Sequence, residues 1–181
     1  AALSPVVFDR RLLRLRRARA AATIGQYDFL AAEAAEQLFA RLDIIRKPLP
    51  RVADLGGAHG LLAGKIAARA GTELVVTADL SFALARQAPG PALVADEEAL
   101  PFAGASLDAV VSNLALHWAN DVPGVFAQIR RALKSDGVFL CSLLGPETLK
   151  ELRDCLMTAE LLITGGASPR VLPFADKPQM G

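Results

Sequence analysis

Val52-Ala53-Asp54-Leu55-Gly56-Gly57-Ala58-His59-Gly60 decides how this chain is read. A short apolar run ends beside a carboxylate, turns through Gly56, Gly57 and Gly60, and opens into a helix-length stretch from 60 to about 70. Glycine tolerates positive φ and lets a ligand lie against the backbone, so such a junction is a candidate binding loop. Outward from it, short runs rich in Val, Leu and Ala alternate with amphipathic stretches. The pattern predicts strands at 51–55, 74–78, 92–95, 107–114 and 138–144, the last started by Gly137. Helices are predicted near 82–87, 122–133 and 147–161. Upstream, 8–46 reads as two helices, the second with Leu30, Ala34, Leu38, Leu42 and Ile45 at helical spacing, until Pro48 and Pro50 stop it. Strand–helix alternation implies an α/β fold with a parallel sheet covered on both faces, its ligand at the carboxyl ends of the strands. Three parts are expected: an N-terminal helical segment (1–50), a binding domain (51–145), and a helix with the start of a C-terminal part (146–181).

The glycine spacing narrows the ligand. A dinucleotide site wants glycine at the first, third and sixth positions. Counting from Gly56, the third is Ala58 and the sixth is Leu61. An acid two residues before the first glycine, followed by Gly-x-Gly-x-Gly with Ala58 in the middle, fits better. A carboxylate there repels a pyrophosphate but suits S-adenosylmethionine (SAM), which carries an ammonium and a sulfonium. Asp79 ends the second strand, where a carboxylate can accept both ribose hydroxyls. Asp96, in Asp96-Glu97-Glu98-Ala99-Leu100-Pro101-Phe102, suits an adenine amino group, and suits a helix N-cap as well. Asn113 ends the fourth strand beside the methionine portion. The expected cofactor residues are therefore Asp54, Gly56, Gly57, Ala58, Gly60, Asp79, Leu80, Asp96, Glu97 and Asn113. His117 and Trp118 follow on the substrate side as catalytic candidates. His117 is read as a base or hydrogen-bond donor, Trp118 as a pocket wall or stacking surface; packing under a lid is the alternative for both. Methyl transfer asks for alignment and exclusion of water, so the lack of a Ser/His/Asp constellation is no objection.

Composition sets the limits. The chain has 181 residues, 52% apolar and 22% charged, which suits one globular domain. A net charge of +1 argues against a nucleic-acid partner. Arg10, Arg11, Arg14, Arg16, Arg17 and Arg19 crowd one segment. That run reads as a solvated helix face, with a docking surface for an acidic protein or a cleaved transit peptide as alternatives. Cys141 and Cys155 have no ligand spacing, and a reducing compartment fits them. No apolar run reaches the length of a membrane span. His59 is expected to face solvent or brush the cofactor, and no metal site is expected.

Taken in order, Asp54-Leu55-Gly56, Asp79, Asp96 before Leu100-Pro101-Phe102, Leu107-Asp108-Ala109-Val110-Val111-Ser112-Asn113 and Leu133-Lys134-Ser135-Asp136-Gly137-Val138 resemble the class I SAM-dependent methyltransferases over about 51–144. A narrower likeness runs through Val7-Phe8-Asp9-Arg10, Ala95–Phe102, Leu114–Asp121, Glu147–Arg153 and Gly165-Gly166-Ala167-Ser168-Pro169-Arg170. It resembles the methyltransferase-fold assembly factors of respiratory complex I. A sister branch, the malonyl-acyl-carrier-protein methyltransferases of biotin synthesis, shares Ser112-Asn113-Leu114-Ala115. The resemblance implies a doubly wound, mostly parallel Rossmann-like sheet. It implies SAM as cofactor and methyl transfer to an unidentified acceptor, either a small molecule or a protein such as a respiratory complex subunit. The alternatives it carries are arginine hydroxylation of a complex I subunit and a non-catalytic SAM-fold scaffold. Hydroxylation commonly needs two histidines and a carboxylate on iron, which these residues do not convincingly supply. The implied compartment is bacterial cytoplasm or, in a eukaryote, the mitochondrial matrix. Two departures stand out. Ala58 replaces the central glycine, and its methyl either crowds the cofactor or shifts it slightly. The family's last two strands are not within the 181 residues, so the fifth strand is expected at an exposed edge that a second copy could cover as a homodimer.

Overall fold

The computed structural model describes residues 6–166 together with 168, 170, 171 and 174. It divides into two compact units, Ala1–Leu143 and Leu144–Gly181. In the first, three helices lead in: α1 (Arg10–Ala20), the single turn α2 (Ile24–Tyr27) and α3 (Phe29–Asp43). The sheet strands and their helices follow as β1 (Arg51–Leu55), α4 (Leu61–Ala67), β2 (Leu74–Asp79), α5 (Phe82–Ala85), β3 (Ala92–Val94), β4 (Leu107–Asn113), α6 (Val122–Ala132) and β5 (Leu133–Ser142). The expected pair of N-terminal helices is thus three, because the chain breaks around Thr23 and Asp28.

All five strands are parallel, in the order β3-β2-β1-β4-β5. The chain moves outward from β1 to β3, then returns to the other side of β1. That reversal leaves a crevice between the carboxyl ends of β1 and β4. Asp54 is opposite Val111 across it, so Ser112 stands level with Leu55, to whose carbonyl its hydroxyl donates, and Asn113 reaches past the end of β1.

Strand residues alternate between two cores, as the period of two requires. Val52, Val75, Ala109 and Val111 pack against Leu38 and Leu42 of α3 and Leu62 and Ile66 of α4. Ala53, Leu55, Ala78 and Val110 face Val125 and Ile129 of α6 on the other side. α6 starts where the Asp121 side chain accepts from the Gly124 N–H at 3.0 Å, with Pro123 in the first turn. β5 begins at Leu133, four residues before the expected Gly137, and pairs there with Leu107 across a register shift. It lies at the sheet edge, half-buried over most of its length, so Lys134, Ser135 and Asp136 are tolerated in a strand.

The second unit holds α7 (Lys150–Thr164), three residues later than expected. The Arg153 guanidinium donates to the carbonyls of Pro146 and Thr148, and Glu160 accepts from Ser168 and Arg170. Ala167 and Pro169 of the family-like motif lie outside the described residues.

Candidate functional site

The turn after β1 is held in left-handed backbone at three positions: Gly56 (φ +63°), Ala58 (φ +50°) and Gly60 (φ +83°). The Gly56 N–H donates to the Ala78 carbonyl at 2.7 Å, folding the turn over the end of β2. Gly57 leaves room for the acid beneath it, since a Cβ there would stand 2.5 Å from Asp54 Oδ2. Asp54 is fully buried, and neither of its oxygens has a hydrogen-bond partner. Burial pushes its carboxyl up to about 7; the Ala63 amide opposes this without reaching bonding geometry, and the charge of Asp79 adds to it. An unpartnered buried carboxylate is costly, and a cation or a proton relieves it.

Asp79, at the end of β2, is also fully buried. Its Oδ1 accepts from the Ser81 N–H at 2.7 Å. Its Oδ2 accepts from the Ala58 N–H at 3.0 Å and from Arg17 Nη1 at 2.9 Å. The same Arg17 nitrogen lies 3.2 Å from Glu97 Oε1, and Arg10 Nη2 donates to Glu97 Oε2. Arg10 also grips Asp96 through Nη2 (2.6 Å) and Nε (3.2 Å), and its Nη1 donates to the Trp118 carbonyl at 3.0 Å. Burial works to lower the Arg10 pKa, but the Asp96 bond and the two carboxylate charges outweigh it, so the net shift is upward. Asp96 caps its own turn through the Glu98 N–H at 2.9 Å; no helix begins there. Leu80 is buried directly after Asp79.

Two arginines of the N-terminal run therefore point inward, which corrects the reading of that run as a solvated face. Arg11, Arg14, Arg16 and Arg19 remain exposed. The available signal was the spacing of Arg10 and Arg17, two turns apart on one side of a helix.

At the other end of the crevice, a cavity of about 220 Å³ is lined by the glycine turn, Ile24, Tyr27, Asp28, Ala31 and Asn113. Asn113 is fixed there: Nδ2 donates to the Ala31 carbonyl at 2.8 Å, and Oδ1 accepts from Ser142 Oγ at 2.7 Å. His59 does not face open solvent, because its Nε2 lies 2.9 Å from Asp28 Oδ2. His117 and Trp118 sit in a short 3₁₀ turn with their rings 5.3 Å apart, and Phe8 meets Trp118 edge-on at 5.5 Å. Burial, and then the charge of Arg17, lowers the His117 pKa to about 4. Among the described residues no three His, Cys, Asp or Glu side chains are grouped to hold a metal ion.

A row of carboxylates along the strand ends, under a glycine turn at the switch point, now has a counterpart among known proteins. The family model described as a methyltransferase domain matches residues 53–141. This is a methyltransferase domain of the class I fold. Over 182 residues the chain is 34% identical to the mitochondrial arginine-hydroxylase NDUFAF5 of Danio rerio, covering 97% of this chain and 56% of that protein. It is 39% identical to the malonyl-[acyl-carrier protein] O-methyltransferase of Laribacter hongkongensis, covering 96% and 62%. In structure it is similar to phosphoethanolamine N-methyltransferase 2 of Haemonchus contortus, solved with S-adenosylhomocysteine. That match has a TM-score of 0.57 and 26% identity, over 66% of this chain and 32% of the other. The chain spans about half the length of the curated relatives it matches. No helix among the described residues of the methyltransferase domain or the second unit is long and apolar enough to cross a membrane.

Proposed function

We propose that this chain binds SAM along the carboxyl ends of β1, β2 and β4 and serves methyl transfer to an acceptor. The observation that carries the reading is Asp54, a buried carboxylate with both oxygens unpartnered beneath the glycine turn. It suits the methionine ammonium. Asp79 suits the ribose hydroxyls, Asp96 and Glu97 the adenine amino group, Leu80 the adenine face, and the backbone of Gly56, Gly57, Ala58 and Gly60 the methionine chain. Asn113 borders the cavity beside that chain.

When bound, the sulfonium supplies a methyl group ready for direct displacement. The residues of this chain bind, orient and exclude water. His117, neutral at pH 7, offers the acceptor a hydrogen bond, and Trp118 with Phe8 walls that side. The test is calorimetric titration of SAM and S-adenosylhomocysteine into the chain and its Asp79→Asn variant. Asparagine retains an oxygen for the Ser81 or Ala58 N–H but loses the charge that draws both ribose hydroxyls. Affinity should fall at least tenfold, about 1.5 kcal/mol or more for charge-assisted bonds. Absence of binding by the parent chain refutes the reading and leaves the scaffold alternative.

Arginine hydroxylation is the second reading, favoured by the likeness to the Danio rerio relative, which is named for that activity. It predicts a gain of one oxygen in the mass of an arginine peptide where the first predicts a methyl group.

A further inference from the structure

The nucleoside end of the crevice is already filled with positive charge. Asp79 has one oxygen on Ser81 and the other on both Ala58 and Arg17. Glu97, 4% exposed, is shared between Arg17 and Arg10. Asp96 is held by two Arg10 nitrogens. Every carboxylate assigned above to ribose or adenine thus has an arginine of α1 on it. A nucleoside cannot donate to Asp79 Oδ2 while Arg17 and Ala58 both do.

α1 itself is built to leave. None of its residues is buried. Beyond the ion pairs, its anchors are polar or lie at its two ends: Arg10 Nη1 donates to the Trp118 carbonyl, the Val7 and Phe8 N–H groups donate to Asn120 Oδ1 while Asn120 Nδ2 donates to the Phe8 carbonyl, Phe8 meets Trp118, and Gln87 Nε2 donates to the Ala21 carbonyl. Apolar burial, which salt hardly touches, contributes little here, while charge pairs partly open to water weaken in salt.

We propose that α1 is an arginine latch: Arg17 closes the nucleoside end of the crevice by occupying Asp79 and Glu97, and the cofactor enters only after displacing it. Arg10 is the second anchor, tying the start of α1 to the Asp96–Glu97 turn and to Trp118. The latch keeps buried carboxylates neutralised in the ligand-free protein. It also sets a threshold that a ligand must exceed, because affinity is reduced by the fraction of open molecules. This inference rests on the cofactor reading above, so its test has one arm without ligand.

In that arm, hydrogen exchange is followed in the full chain and in Arg17→Gln. The amides of α1 should exchange roughly tenfold faster in the variant, the scale of losing a charge-assisted contact, while those of β1 are unchanged. Trp118, the only tryptophan, should change its emission in step. Equal exchange over α1 in the two proteins overturns the latch whatever binds. In the second arm, S-adenosylhomocysteine is titrated, since it lacks the sulfonium charge. Arg17→Gln should bind it roughly tenfold tighter. The parent chain should bind tighter as sodium chloride rises from about 50 to 500 mM, and this serves as the measurement if the variant does not fold. Equal or weaker binding by Arg17→Gln, or a parent affinity that falls with salt, overturns the latch and leaves the cofactor reading standing. If α1 exchanges faster in the variant and neither protein binds, the cofactor reading fails and the latch fails with it as a gate.

Discussion

Replacing Asp54 by asparagine should remove a pH-dependent weakness built into the first unit. The carboxyl is fully buried without a hydrogen-bond partner, and burial moves its pKa from 3.8 to about 7. The folded state therefore holds the proton more tightly than the unfolded state. Between those two values the unfolded chain is ionised while the folded chain is not, so stability falls as pH rises and levels off above pH 7. A tenfold change in proton affinity is worth about 1.4 kcal/mol, which puts the full loss at about 4 kcal/mol. Between pH 5 and 8 the share lost is about 2–3 kcal/mol by the same linkage. Asparagine has nearly the same shape and no charge to lose. Urea unfolding of both proteins at pH 5 and 8 gives the comparison, in which other titrating groups cancel. The parent should lose about 2–3 kcal/mol relative to Asp54→Asn on going to pH 8, or about 5–10 °C in Tm. Parallel stability–pH curves would refute the claim that Asp54 lacks a partner. The cofactor reading adds a linked effect: an ammonium beside Asp54 favours the ionised form, so SAM binding should release a proton below pH 7 and strengthen towards pH 8.

Two further expectations follow from single residues. Ala58 sits at φ +50°, which costs an L-residue about 1–2 kcal/mol; glycine removes that cost but adds about 0.4–1 kcal/mol of unfolded-state entropy. Ala58→Gly should therefore gain about 0.5–1 kcal/mol in thermal unfolding, and a lower Tm would contradict the backbone assignment. His117, with its pKa lowered to about 4, should show no imidazole titration between pH 5.5 and 8 by NMR, and its stabilising contribution should be lost as pH falls from about 6.5 towards 4. A midpoint near 6.5 would show that the ring is not buried beside Arg17.

The central strands are legible because helices cover both faces of the sheet, so Val52–Leu55, Val75–Ala78 and Ala109–Val111 read as near-continuous apolar runs, interrupted only by Asp54 and Thr77. The start of β5 is not, since an edge strand needs no apolar residue on every side, and Lys134-Ser135-Asp136 has the composition of a turn. The carboxylates Asp54, Asp79, Asp96 and Glu97 are legible as candidates from their places at or just after strand ends. Their partners are hidden. Arg17 meets Asp79 across 62 positions, and Asp28 meets His59 across 31. An arginine that points inward to a carboxylate looks, in sequence, like its neighbours that point to water.

That hidden half changes what the crevice asks of a ligand. At the end of the crevice proposed for the nucleoside, Arg17 and Arg10 already hold the carboxylates, so on that proposal a nucleoside gains only the difference between its bonds and theirs. At the turn, Asp54 has no ion pair or hydrogen-bond partner, so a ligand cation there competes with a proton and not with a side-chain cation. Binding free energy should therefore be concentrated at the methionine end. A ligand with the amino-acid portion and no nucleoside should retain more of the affinity than one with the nucleoside alone. Calorimetry with methionine and with adenosine makes the comparison, and a tighter adenosine complex would mean that the arginines leave at little cost.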